Sequence, residues 1–311
     1  MRAWGLIACW AVALGAGCNQ VLGLDEPAGD DDGDDERDAQ VSDGPADRDM
    51  DGVPDVDDVC PDASDPGQHD EDGDGLGDRC DRCPHLAQES DLDGDEDDVP
   101  DACDPYPATS GGRLRWSGFH VAEELDEWRA DGGEGVVEWS NDEVTLTPLL
   151  DGEVRFLRGE DDSGRVSTRT RVIASLGLGA PNAGGTARRA VGAITNVSSS
   201  GLDLFLCQLE TDLPITQVRL QEYRIASGVA ATIATSVTGD ALPMGDVILE
   251  LDLGADDEQT TTRGAFCQVR AGAASHALPR ATVVDLPPGE AGLRTVGVPL
   301  RVRWAAIIDH P

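Results

Sequence analysis

The sequence predicts a mostly β protein in which a C-terminal β-sandwich follows an irregular repeat segment with little regular secondary structure. Three observations carry this expectation. Acidic residues crowd the first third of the chain, an acidic pattern recurs there every 23 residues, and from about residue 112 the texture changes to short alternating runs separated by Gly, Pro and Asp.

The first seventeen residues, MRAWGLIACWAVALGAG, have one Arg and then an apolar run too short for a membrane span, the pattern of a secretory signal. The run ends on Cys18. Ala16 and Gly17 before that Cys resemble a bacterial lipoprotein signal, although Gly15 stands where a larger apolar residue is usual and Leu14 is one position too far back. The resemblance implies lipidation of Cys18, the new N-terminus, and a place in the bacterial envelope, at the outer membrane or cell surface. The alternative is an ordinary secreted chain cleaved nearby. No later stretch approaches the ~20 residues of a spanning helix, so membrane contact is expected through the lipid only.

The chain holds 61 acidic and 23 basic residues, the latter all Arg, for a net charge of −38. Nucleic acid and anionic membrane would both repel it and are excluded as partners. Residues 18–108 alone contain 33 acids and four Arg. With almost no large apolar side chains, that segment cannot bury a core of its own. Its first part, residues 18–46, includes DDDGDDERDAQ, shows no period, and is expected to be a solvated, self-repelling linker.

Residues 47–108 are different, because DRDMDGVPDVDDVCP, DEDGDGLGDRCDRCP and DGDEDDVPDACDPYP begin at Asp47, Asp70 and Asp93, each 23 residues after the last. Numbered from the first Asp, acids fill positions 1, 3, 5, 9 and 12 of every block. These are Asp47, Asp49, Asp51, Asp55 and Asp58; then Asp70, Asp72, Asp74, Asp78 and Asp81; then Asp93, Asp95, Asp97, Asp101 and Asp104. Position 6 is Gly52, Gly75 and Asp98, and position 7 is Val53, Leu76 and Val99. Carboxylates alternating along a tightly turning loop converge on one point, which suits a hard cation with six to eight oxygen ligands, and the position 7 carbonyl adds one more. Calcium fits this description better than magnesium, which demands near-ideal octahedral geometry and keeps its waters. The ion would organise a segment that has no core.

An EF-hand has similar numbering but takes Glu at position 12 and a helix on each side, where this chain has Asp and flanks of Pro, Gly and Asp. The pattern instead resembles thrombospondin type 3 repeats, whose D-x-D-x-D-G-x-x-D-x-C-D is nearly spelled out by Asp70 to Asp81. That resemblance implies calcium binding over residues 47–108 and a compact wire instead of a globular domain. Asp98 departs from the expected glycine, though Asp tolerates a left-handed backbone.

Eight cysteines sort by region. Cys9 leaves with the signal, Cys18 is the candidate anchor, Cys60, Cys80, Cys83 and Cys103 belong to the repeats, and Cys207 and Cys267 to the sandwich. Four repeat cysteines allow three connectivities, and spacing alone does not choose. Repeat symmetry and the family resemblance favour Cys60 with Cys80 and Cys83 with Cys103. Zinc is the rival, but only one C-x-x-C is present, and an exported chain favours disulfides, Cys207 with Cys267 included.

In residues 109–311, VILELDL puts Val247, Leu249, Leu251 and Leu253 on one strand face and Glu250 and Asp252 on the other. RVSTRTRV sets Val166, Thr168, Thr170 and Val172 against Arg165, Ser167, Arg169 and Arg171, and PLRVRWAAI is expected to bury Leu300, Val302 and Trp304 together. No long amphipathic helix is evident. The layout of EWRADGGEGVVEWSNDEVTL, the two cysteine strands and GLRTVGVPLRVRWAAIIDH resembles the concanavalin A-like or laminin G-like jelly roll. That family includes glycan binders, glycan hydrolases and protein-binding modules, and fold does not choose among them.

Catalytic signals are weak. A hydrolase needs two carboxylates at short separation. Glu250 and Asp252 share a face, but Gly254 follows on it, so the glucanase-like E-x-D-x-E or E-x-D-x-x-E triad is absent. Both acids, and the Arg face at 165, 169 and 171, are expected to be solvated. His120, His276 and His310 have no metal-ligand spacing, and G-x-S-x-G does not occur. The expectation is an exported surface protein, not an enzyme, whose calcium-stiffened stalk presents a glycan- or protein-binding sandwich. The rivals are a calcium-dependent glycan hydrolase and a purely structural spacer.

Overall fold

A computed structural model of the protein describes residues 46–87, 90–131, 135–150, 152–158, 169–179, 189–198, 200, 203–211, 218–226, 229–238, 246–255, 263–283 and 289–310. The signal segment, Cys18, the linker through residue 45, and Arg165 to Thr168 lie outside the described residues.

Two antiparallel sheets form a sandwich, the jelly-roll layout expected from the sequence. One sheet runs β13 (Ala274–Ala277), β12 (Arg263–Ala271), β11 (Asp246–Ala255), β6 (Arg169–Leu178), β16 (Leu300–His310), β4 (Glu143–Pro148) and β3 (Gly135–Ser140). In it β1 (Arg113–Ser117) also pairs with β16, and β14 (Ala281–Val283) with β12. The other runs β10 (Val229–Thr238), β9 (Val218–Ala226), β8 (Leu204–Thr211), β7 (Arg189–Val197), β15 (Glu290–Val296), β5 (Glu153–Arg158) and β2 (Trp128–Asp131). Among the described residues the one helical element is a 3-10 turn, Ala122–Glu127, and no helix is long and apolar enough to cross a membrane.

Alternation along each strand puts one apolar row between the sheets. Val247, Leu249, Leu251 and Leu253 of β11, with Val172, Ala174 and Leu176 of β6, face Val191 and Ala193 of β7, Phe205 and Leu209 of β8, and Phe156 of β5. A disulfide from Cys207 on β8 to Cys267 on β12 ties the two layers through this core. Glu250 and Asp252 leave the core face, as alternation requires.

Strand β16 departs from the simple pattern. Its register against β6 shifts between Val302 and Trp304, a bulge that spends Arg303 without advancing the pairing. Leu300 and Val302 point into the core, but after the bulge Ala305 and Ile307 do so, while Trp304 turns to the outer face with Ala306 and Ile173. Trp304 is buried there as thoroughly as its neighbours are in the core. The expectation that it shares a face with Leu300 and Val302 is therefore corrected: one inserted residue inverts the parity of everything after it.

The burial of an outward-facing Trp needs a cover, and the repeat segment supplies it. His85 stacks on Trp116 and tilts against Trp304, with ring centroids 6.3 and 6.0 Å apart, and the two Trp rings lie 5.2 Å from each other. Cys83, Val99 and Cys103 pack with Ile308 and Leu114. Repeats and sandwich thus belong to one compact unit, Pro45–Pro311. The described repeats lie along the nine-stranded sheet and do not project from it as a stalk. With almost no apolar side chains of their own, they gain a core by borrowing the sheet's outer face.

Candidate metal centres

The three acidic loops are built by the same set of backbone bonds. Position 6 amides of Gly52, Gly75 and Asp98 donate to the position 1 carboxylates of Asp47, Asp70 and Asp93 at 3.2, 3.1 and 2.9 Å. Position 7 amides of Val53, Leu76 and Val99 donate to Asp51, Asp74 and Asp97 at 2.8, 2.9 and 3.0 Å. Such Asx turns curl the chain so that Asp47, Asp49 and Asp51 each bring an oxygen within 4.8 Å of the others, as do Asp70, Asp72 and Asp74, and Asp93, Asp95 and Asp97.

The curl needs two left-handed residues per loop. Position 6 has φ of +98° at Gly52, +96° at Gly75 and +75° at Asp98, so Asp98 takes the conformation its two glycine counterparts take. Position 4 is left-handed too, at Met50, Gly73 and Glu96. Only Gly73 could have signalled this from sequence.

Position 12 repeats a pattern of its own, and in the third loop Asp104 brings an oxygen within 4.8 Å of Asp97 and His310. Amides of Cys60, Cys83 and Tyr106 donate to Oδ1 of Asp58, Asp81 and Asp104 at 2.8, 2.7 and 2.7 Å. In all three the other oxygen, Oδ2, is buried without a hydrogen-bond partner. The same is true of one oxygen of Asp47, Asp49 and Asp72 and of both oxygens of Asp95. Position 9, expected as a ligand, acts differently: Asp55, Asp78 and Asp101 accept the position 2 amides of Arg48, Glu71 and Gly94 at 2.9, 3.0 and 2.7 Å. The second oxygens of Asp55 and Asp78 take the Arg48 guanidinium and the His120 ring, so these carboxylates close their loops.

Burial, then the charges of Asp72 and Asp74, raises the Asp81 carboxyl to about 6 despite its bond from Cys83. Burial leads the upward shifts of Asp49, Asp72 and Asp95 as well, each reinforced by neighbouring carboxylates. These centres carry more negative charge than their own hydrogen bonds neutralise.

Disulfides Cys60–Cys80 and Cys83–Cys103 staple each repeat to the next. Side chains with no sequence signature then fix the repeats to the sandwich. His120 Nε2 donates to Asp78 at 2.8 Å, and its ring stacks on His69 at 3.6 Å, which is itself held by Asp65 at 2.8 Å. His310, the last residue of β16, donates to Asp104 at 2.7 Å, and the Gly112 amide donates to Asp97. Tyr106 lies edge-on to His310 and under the Arg169 guanidinium, its hydroxyl filling the space where Gly254 lacks a side chain.

The outer charges of β11 and β6 are accordingly engaged. Arg171 pairs with Asp252 at 2.9 Å and with Glu250 at 3.6 Å, and Asp252 is only 5% exposed. The expected solvated face is corrected here, because the repeat segment covers it. On the far side of the sandwich a polar row crosses the seven-stranded sheet: Arg294 clasps Glu153 at 2.9 and 3.0 Å and reaches Gln208 at 2.7 Å, and Arg155 joins Glu153 at 2.6 Å. Gly192 lies between Arg294 and Gln208 in the pairing, and a side chain there would meet Gln208. Burial notwithstanding, Arg294 and then Arg155 hold the Glu153 carboxyl down at about 2.

No protein-family model matches the chain, and no curated protein matches it. Among solved structures it is similar to a winged bean acidic lectin complexed with methyl-α-D-galactose, at 12% identity and a TM-score of 0.45, covering 64% of this chain and 98% of that one. It is similar also to the peanut lectin with a 9mer peptide, at 11% identity and 0.44, covering 65% and 98%. A third is the carbohydrate-binding module CBM66 from Bacillus subtilis, at 11% and 0.40, covering 57% and 91%. The likeness is one of sandwich layout only.

Proposed function

We propose that the protein binds calcium in three loops, at Asp47–Asp58, Asp70–Asp81 and Asp93–Asp104, and that the ions lock the repeats onto the sandwich. The observation that carries this is the recurrence, in every repeat, of a position 12 carboxylate with one oxygen on the backbone and the other buried and unpartnered. A buried carboxylate oxygen without a partner is costly, and three in register are a ligand set for a hard cation. On this reading the loops are thrombospondin type 3-like repeats, and the chain is an exported lipoprotein anchored through Cys18.

The sandwich is proposed as a binding module for a glycan or a surface protein. Supporting this, Arg155, Glu153 and Arg294 hold partly exposed planar donors and acceptors on one sheet face, the groups that pair with a hydroxyl-rich ligand. A hydrolytic role is not proposed, since Glu250 and Asp252 are held by Arg171 beneath the repeats.

Calorimetric titration of the exported chain with its disulfides formed tests the calcium reading, with magnesium as control. Saturable heat at about three sites, with dissociation constants near 10⁻⁴ to 10⁻³ M as in extracellular modules, is the expected result. Absence of heat, or an equal response to magnesium, would overturn it.

A further inference from the structure

The three loops share a backbone but not an electrostatic setting, and the difference lies in one residue. Arg82 directly follows Asp81, the last acid of the second loop, and its Nη2 sits 2.7 Å from Oδ2 of Asp93, the first acid of the third loop. The same nitrogen is 3.9 Å from Asp98, and Nη1 reaches the Asp91 carbonyl at 3.4 Å. The guanidinium therefore lies across the entrance of the third loop.

Among the described residues neither other loop has such a cation on its first acid. Asp47 accepts the Gly52 amide, and Asp70 accepts the amides of Gly73 and Gly75. Arg48 of the first loop turns away from the carboxylate triad to Asp55 and Asp62, at 3.0 and 2.7 Å. Arg79 of the second loop donates to the Ser64 carbonyl at 2.9 Å. The residue equivalent to Arg82 is Val59 in the first repeat and Pro105 in the third. The third loop is also bonded to the sandwich, through Asp97 to Gly112 and Asp104 to His310.

We propose that Arg82 is a tethered counter-ion that makes the third loop the weakest of the three calcium sites, so that the loops fill in a graded order with Asp93–Asp104 last. This rests on the calcium reading above. A fixed positive charge a few ångströms from a bound dication repels it, and with the screening that a partly exposed guanidinium meets, about a ten-fold loss of affinity is expected. Asp98 adds a carboxylate to this loop, but its side chain is fully exposed and shares the same guanidinium, so it does not restore the field.

Calcium titrations of the exported chain and four variants test this. The wild type is expected to show two tighter sites and one about ten-fold weaker, and Asp95→Asn to delete the weak step. Arg82→Gln should raise that step toward the others with the number of ions unchanged. Arg82→Lys, which keeps the charge, and Arg79→Gln, which changes a cation bonded to a carbonyl, should leave it where it is. If calcium binds but Arg82→Gln leaves the weak step unmoved or weakens it, or if Asp95→Asn removes a tight step, the grading fails while calcium binding stands. If the wild type takes up no calcium, both fail.

Discussion

At the residue scale, one position 12 carboxylate, Asp81, ties the protein to pH. Without an ion Asp81 titrates near 6, above its ordinary value, because it is buried and faces Asp72 and Asp74. A folded-state pKa raised above the unfolded one favours folding at low pH, and that contribution is lost as pH rises through about 6. A bound calcium ion would reverse the balance, since it would take the ionised form. Affinity of the second loop is therefore expected to fall about ten-fold between pH 7 and pH 5, with about half a proton released per ion at pH 6 and nearly one at pH 5. Titration in buffers of different ionisation enthalpy measures that proton, and a heat independent of buffer would refute the assignment. Asp81→Asn should bind calcium poorly yet leave the ion-free protein at least as stable. His85 provides a second pH signal. Burial, then Arg171 and Arg270, holds its ring down at about 4, so its contribution is complete above about 6.5 and is lost as pH falls toward 4. Replacing it by Phe should flatten that acid limb of a urea-unfolding series while leaving the Trp face covered.

At the element scale, the lesson is in strands β11 and β16. The core row of β11, Val247 to Leu253, was legible because the strand is regular and period 2 holds throughout. In β16 the same rule fails after Val302, since a bulge adds a residue without a sequence signature of its own. A hint was present: AAII after Trp304 is an unbroken apolar run, which marks a strand covered on both faces. Alternation likewise suggested solvent for Glu250, Asp252 and Arg171, because pattern alone cannot tell water from a polar cover made of another part of the chain. The acidic loops were far more legible than their anchors. A 23-residue period displays itself, whereas Asp104 to His310 joins residues that only the fold brings together. The energetic weight of that outer face can be measured. Trp304→Ala, removing a large side chain that is 4% exposed, should cost about 3 to 5 kcal/mol in urea unfolding. It should also weaken calcium binding, because the repeats lose the surface they lie on. Gly254→Val tests the same interface from its far end. A side chain there collides with the Tyr106 hydroxyl, and the expected loss is about 1 to 3 kcal/mol with the core strands intact.

At the scale of the whole molecule, two segments that would each be deficient alone complete one another. The repeats have charge and staples but no core; the sandwich has a core but an outer face bearing Trp116, Trp304 and Ile173 that water would otherwise reach. On the calcium reading proposed above, bound ions would lower the repulsion within the repeats that cover the Trp face, and ion binding would become stability of the sandwich. With calcium about 100-fold above the dissociation constant, each site contributes about 2.7 kcal/mol, provided the unfolded chain binds none. Three such sites are comparable to the entire stability of an ordinary domain. Heating the disulfide-bonded chain in excess calcium should give one cooperative transition, seen alike by tryptophan fluorescence and by circular dichroism of the sheets. In a chelator the sandwich transition should move down by many degrees, and the fluorescence of Trp116 and Trp304 should report wetting before the sheets melt. Magnesium in place of calcium should restore little of the shift, since these loops offer more oxygens than its octahedron accepts. A sandwich transition indifferent to calcium would mean that the repeats rest on the sheet without stabilising it, and the ionic lock proposed for the loops would have to be abandoned.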